Sequence, residues 1–162
     1  SPGEAHWTAV KNILKYLRRT KYMFLVYGEN SDTELQVKCY CDAGFETNRD
    51  DTKSQTGYVF TLNGGVVVWK SSKQSTTAQH AAEAEYIAAA ISMAKEPGIM
   101  KGARHFQRKF HYVRDCVDTG KIEMVKVHTD DNLADPFTKA LAGPKLTRHA
   151  RSMGLRPAST FM

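Results

Sequence analysis

Cysteine is scarce in this sequence, three residues in 162, and what is present cannot build a disulfide framework. Cys39, Cys41 and Cys116 are odd in number and sparse, a usage that fits a reducing compartment. Cys39 and Cys41 lie two apart and would share one face of a strand. With no further ligand at finger-like spacing, they read as small buried hydrophobes rather than zinc ligands. Long apolar runs are also missing: none approaches the roughly 18–20 residues that a membrane span requires. The opening Ser-Pro-Gly-Glu-Ala-His-Trp has no basic stretch followed by an apolar one, so no secretory signal is expected. These absences point away from a membrane and towards an intracellular setting, cytoplasm or nucleus. The missing initiator Met suggests a piece of a longer protein. No internal repeat or low-complexity tract occurs.

Hydrophobic residues make up 41% of the chain, enough for a packed core and too many for wholesale disorder. The net charge of +6 is unevenly placed. Residues 1–94 hold 10 Lys/Arg against 10 Asp/Glu, and residues 95–162 hold 13 against 7, so the second part carries the whole excess. A basic half beside a neutral one suits a polyanion-binding surface, and equally suits a well-solvated one.

Periodicity divides the chain into elements. Glu4 to Arg19 reads as an amphipathic helix, with Trp7, Val10, Leu14 and Leu17 in one stripe. Tyr22 to Tyr27 is a short β-prone run, and Leu35 to Asp42 a strand ending in a carboxylate. Gly44–Gln55 is polar and reads as a loop. Thr56–Leu62 and Val66–Lys70 flank Asn63-Gly64-Gly65, a strong hairpin signal. Ser75-Thr76-Thr77 offers a hydroxyl cap to an Ala-rich helix from Ala78 to about Lys95, which Pro97-Gly98 breaks. Lys101 to about Val117 is a second amphipathic helix with Phe106, Phe110, Val113 and Val117 on its apolar side, ended by Gly120. Ile122–Val127 alternates apolar and charged residues as a half-buried strand does. Asp131-Asn132 caps a short helix through Leu141, with Pro136 in its first turn. The basic tail after Gly143 has a weak helical pattern. This order describes a mixed α/β or α+β domain with an antiparallel portion first.

Three places carry carboxylates where elements begin or end, the usual position of functional groups on such a scaffold. Asp42 ends a strand, Glu83 and Glu85 open the Ala-rich helix, and Asp135 follows the last strand near the start of a short helix. Gathered carboxylates repel one another, so a site that collects them generally holds divalent cations. Two ions roughly 3.5–4 Å apart activate water and stabilise the leaving oxygen in phosphodiester cleavage. The competing reading is that terminal Asp and Glu residues cap helices and answer their dipoles.

Five words then appear in order: Tyr-Cys-Asp-Ala-Gly-Phe (40–45), Ser-Gln-Thr-Gly-Tyr-Val-Phe (54–60), Val-Val-Trp-Lys-Ser-Ser-Lys-Gln (67–74), Ala-Glu-Ala-Glu-Tyr-Ile-Ala-Ala (82–89) and Val-His-Thr-Asp-Asp-Asn-Leu-Ala-Asp-Pro-Phe-Thr-Lys (127–139). Together they resemble the ribonuclease H domain of copia-type retrotransposon Pol polyproteins. The opening His-Trp-Thr-Ala-Val-Lys-Asn-Ile-Leu-Lys-Tyr-Leu (6–17) resembles the end of the preceding reverse transcriptase region. The likeness covers most of residues 5–156. It implies a ribonuclease H-like α/β fold, a mixed sheet flanked by helices, and Mg²⁺-dependent (or Mn²⁺-dependent) hydrolysis of RNA in RNA–DNA hybrids. It further implies that residues 1–30 are a remnant of the reverse transcriptase, 31–142 a truncated ribonuclease H-like domain and 143–162 a basic tail.

Carried over by position, Asp42, Glu85 and Asp135 are the metal-binding catalytic carboxylates. Glu83, about 200° round the helix from Glu85, cannot face the same site. His128 stands where a related His aids proton transfer or product release, or is a solvated loop residue. Trp69, Lys70 and Lys73 correspond to the substrate-side strand, although a hairpin Trp also belongs in a core. Lys101, Arg104, Arg108 and Lys109 are placed to contact phosphates, or form a charged helix face. Asp50, Asp51 and Asp130 are loop carboxylates that offer substitute ligands or are simply solvated.

One part of the family pattern is missing. After the Glu-bearing helix, relatives carry a central strand ending near an Asp, then another helix; here Ala94-Lys95-Glu96 runs directly into Pro97-Gly98. The resemblance therefore implies a weakened metal site and little or no cleavage, and the domain lacks one central strand and one helix. The Asp42 strand is then expected to pair with Ile122–Val127, or else to take a strand from a protein partner or leave exposed edges prone to aggregation. A non-catalytic structural or interaction module is the alternative.

Overall fold

The computed structural model describes residues 2–28, 36–47, 52–93 and 103–160, with side chains described outside 103–110. Helix α1 (Glu4–Thr20) is followed by β1 (Met23–Leu25), β2 (Val37–Gly44) and the hairpin β3 (Gln55–Leu62) and β4 (Gly65–Lys73). Helices α2 (Ala81–Met93) and α3 (Ala103–Asp118) come next. A 3-10 turn (Asp135–Phe137), α4 (Gly143–Ser152), β5 (Leu155–Pro157) and a last 3-10 turn (Ala158–Thr160) complete the order.

The β3–β4 turn forms as its residues dictate. Asn63 and Gly64 both adopt positive φ, 46° and 84°, the primed geometry that matches strand twist. β2, β3 and β4 make an antiparallel sheet in that order, with Asp42 opposite Gly57 and Tyr40 opposite Val59. β1 and β5 pair antiparallel in a second, two-stranded sheet, Phe24 opposite Arg156. It is tied to the hairpin by Val26 N–H to Gly154 O at 2.9 Å and Val66 N–H to Met153 O at 3.1 Å.

Strand alternation splits the core between the two faces of the three-stranded sheet. On one face Ala43 and Phe45 pack with Ala78, Ala84 and Ile87 from α2 and the segment before it. On the other, Tyr40, Val59 and Val66 pack with Leu133, Phe137 and Met153. Gln74, buried at the end of β4, donates to Thr56 Oγ1 and Ala84 O, both at 2.9 Å, and so pins α2 to the hairpin. The architecture is α/β, consistent with the ribonuclease H-like class expected from the sequence.

Four expectations need correction. Ile122–Val127 forms no strand: residues 123–128 have no regular structure, and Met124, Val125 and Val127 are exposed. Among the described residues β2 therefore pairs only with β3, since alternation supplies no partner for a strand's backbone groups. Helix α2 starts at Ala81, three residues late; Glu83 in its first turn reaches back, its Oε2 accepting the N–H of Gln79 just ahead of the helix at 2.7 Å. The Asp131–Leu141 helix shrinks to one 3-10 turn. Finally, Trp69 is no core residue: it is 59% exposed on β4. The apolar stripe of α1 is likewise uncovered, because none of that helix's residues is buried.

Candidate functional site

β2 delivers alternate side chains to opposite sides. Cys39, Cys41 and Ala43 face α2, where Cys39 lies within hydrogen-bond reach of Ser92. Burial, with added repulsion from Cys39, Asp42 and Glu85, pushes the Cys41 thiol up to about 12, so it stays protonated and inert. Tyr40 and Asp42 face the other way, towards the 3-10 turn. Asp42 Oδ2 accepts a hydrogen bond from the Thr138 hydroxyl, 96 residues away in sequence. The same Thr138 oxygen lies 3.1 Å from Asp135 O. Asp42 and Asp135 are thus brought to one turn.

Two features make this meeting possible. Asn132 Nδ2 donates to Cys41 O at 2.9 Å while its Oδ1 accepts from Ala134 N–H at 3.0 Å, fastening the turn to the β2 backbone. Opposite Asp42, Gly57 leaves room for the turn: a Cβ there would lie 2.8 Å from Phe137 Cβ and 2.9 Å from Ala134 O. Ser71 Oγ adds a bond to Phe137 O at 2.5 Å.

Asp135 is fully buried, and its carboxylate is met by two ammonium groups. Lys139 Nζ lies 2.5 Å from Oδ1 and Lys145 Nζ 3.1 Å from Oδ2. Lys145 also reaches Asp130 Oδ1 at 3.0 Å. That contact holds the Asp130 carboxyl below its ordinary range and the Lys145 ammonium above its own. Behind them sits His149, buried on α4 with Nε2 unpartnered. Burial lowers its pKa and the Asp135 charge opposes that shift.

Glu85 does not join this pair. It is exposed on α2, on the other face of the sheet, close enough for its charge to reach Cys41. Among the described residues no three His, Cys, Asp or Glu side chains form a group that could hold a metal ion. The carboxylates as arranged do not fit a two-metal centre. His128 is exposed and faces Asp130, with Nδ1 to Oδ2 at 3.7 Å. Trp69, Lys70 and Lys73 are exposed along β4. Arg104, Arg108 and Lys109 belong to α3, with side chains outside the described set; Lys101, Asp50 and Asp51 lie outside the described residues altogether. Sequence reasoning missed Lys139, Lys145 and His149 as neighbours of Asp135. It also missed an open cleft of about 320 Å³ beside the β3–β4 turn, to which Arg151 and Arg156 contribute.

The chain is similar to parts of retrotransposon polyproteins. It is 34% identical to the retrovirus-related Pol polyprotein from transposon TNT 1-94 of Nicotiana tabacum, over 87% of this chain and 13% of the polyprotein. It is 29% identical to the Pol polyprotein from transposon RE2 of Arabidopsis thaliana, over 95% of this chain and 13% of that protein. It thus spans about 13% of the length of these polyproteins. A third relative, secreted RxLR effector protein 161 of Plasmopara viticola, is 38% identical over 54% of this chain and 60% of its own length. No family profile and no solved structure matches the chain. The RE2 alignment runs over 189 positions, whereas 95% of 162 residues is about 154, so about 35 positions of the relative have no counterpart here. No helix among the described residues is long and apolar enough to cross a membrane.

Proposed function

We propose that this chain is a ribonuclease H-like domain from the reverse transcriptase of a copia-type retrotransposon, with the hybrid-binding scaffold kept and nuclease activity largely lost. The ancestral reaction is hydrolysis of the RNA strand of RNA–DNA hybrids in an intracellular setting, cytoplasm or nucleus. The observation that carries this reading is the meeting of Asp42 and Asp135 at the Thr138 hydroxyl. The Asp42 carboxylate and the backbone of Asp135, from distant segments, share one hydroxyl within a chain similar to Pol polyproteins over most of its length.

The same geometry supports impairment. Asp135 is neutralised by lysines, Glu85 stands apart, and the unmatched positions of the relative, about 35 in all, are enough for a strand, a helix and their connections. Mg²⁺ or Mn²⁺, expected on Asp42 and Asp135, meets a poor site there: the Asp135 carboxylate is already paired with Lys139 and Lys145, and Glu85 stands apart. The hybrid-binding surface is assigned to Trp69, Lys70 and Lys73 with the basic second part of the chain.

Fluorescence anisotropy with a labelled RNA–DNA hybrid tests the binding half. Affinity is expected to fall about tenfold or more between 50 and 200 mM salt, as several phosphate contacts require. Binding that ignores salt would instead support the second reading, a non-catalytic interaction module. That reading is favoured by the edge of β2, which among the described residues has no strand beside it and is a template for a partner's strand, and by the match to a short effector protein over 60% of its length.

A further inference from the structure

Helix α4 carries Lys145, Arg148 and Arg151 and no carboxylate. Two of these cations are spent, Lys145 on Asp130 and Asp135, and Arg148 on Asp131 at 2.7 Å. Arg151 differs. It stands exposed in the last turn of the helix, and among the described residues no carboxylate pairs with it. Instead it lines the cleft of about 320 Å³ beside the β3–β4 turn, together with Arg156 of β5, Ser152, Asn63 and Gly64. No acidic side chain belongs to that lining among the described residues. Gly154 lets the cleft form by drawing the β1–β5 ribbon onto the hairpin: a Cβ there would lie 2.6 Å from Val26 O and 3.2 Å from Gly65 Cα. Gly64, at φ 84°, has open space where a Cβ would be, so its backbone can be approached closely.

We infer that this cleft binds a phosphate group. Arg156 is already held in place for it. Its Nη1 donates to Arg151 O at 2.5 Å and to Leu155 O at 3.1 Å, which answers a carbonyl at the end of α4 and fixes the guanidinium plane. A planar guanidinium presents paired N–H donors that match phosphate oxygens, and Arg151 adds a second cation for a dianion. The Ser152 hydroxyl and the Asn63 amide are neutral donors on the same lining. The sign of the lining is wrong for a cation. The phosphate comes from a nucleic-acid backbone or from free phosphate. Only the first source rests on the proposed function, to which it adds a contact beyond Trp69, Lys70 and Lys73; the charge of the cleft stands by itself.

Thermal unfolding of the full chain in sodium phosphate, against sodium chloride at equal ionic strength, tests this. Phosphate should raise the midpoint of the wild type by roughly 2 °C or more, and that of Arg151→Gln by less than half as much. Equal protection of the two, or none of the wild type, overturns the inference. Should circular dichroism show Arg151→Gln unfolded, Ser152→Asp, which sets a carboxylate in the lining, is read in the same way. Labelled RNA–DNA hybrid then separates the sources. A salt dependence of binding shallower by about one ion in Arg151→Gln assigns the phosphate to the backbone. An unchanged slope with phosphate protection lost assigns it to free phosphate. Protection lost in the variant, with no salt-sensitive hybrid binding by the wild type, would retire the proposed function and leave the cleft standing. Salt-sensitive hybrid binding with equal protection would do the reverse.

Discussion

Gly57, Asp42 and His149 show how single residues set this site. Gly57 belongs to the word Ser-Gln-Thr-Gly-Tyr-Val-Phe, and its purpose is visible in space: the 3-10 turn packs where a Cβ would be. Gly57→Ala should cost about 1–3 kcal/mol by overpacking, measured by urea unfolding, and a variant within about 0.5 kcal/mol of wild type would contradict the close approach. His149 makes a pH-dependent contribution. Its folded pKa lies below its ordinary value, so the unfolded chain binds the proton more readily. Stability is therefore full above the unfolded value of about 6.5 and declines as pH falls below it. The thermal midpoint should drop as pH falls from about 7.5 to about 5.5, and His149→Gln should flatten that slope. An unchanged slope in the variant would remove His149 from the account.

Elements with strong local signals were legible in the sequence. The Asn63-Gly64 turn, the Ala-rich α2 and the Gly120 stop of α3 depend on neighbours in the chain and form close to where their residues indicate. Ile122–Val127 was misread because alternation states a face but cannot supply an adjoining strand, and β2 does not take it up. A β-prone segment left exposed is an association hazard. Val125→Lys should lower light scattering on concentration while leaving the circular dichroism unchanged. Scattering equal to wild type would place the association elsewhere, for instance on the uncovered stripe of α1.

At the scale of the whole molecule, the candidate carboxylates were legible only as members of ordered words. Spacing alone left Asp42 and Asp135 as possible caps. Asn132, Gly57 and Thr138 hold the turn that bears Asp135 against β2 and Asp42, and that placement is tertiary. The lysines that neutralise Asp135 were illegible for the same reason, since Lys145 reaches it from a separate helix. The charge excess behind α2 was legible and sets the expectation of salt-dependent hybrid binding.

Cleavage is the most direct measure of the proposed ribonuclease H-like domain with an impaired carboxylate site. Incubating the chain with a labelled RNA–DNA hybrid and Mg²⁺ or Mn²⁺ should give no RNA cleavage above that of an Asp42→Asn control. Robust, metal-dependent cleavage abolished by Asp42→Asn would contradict it.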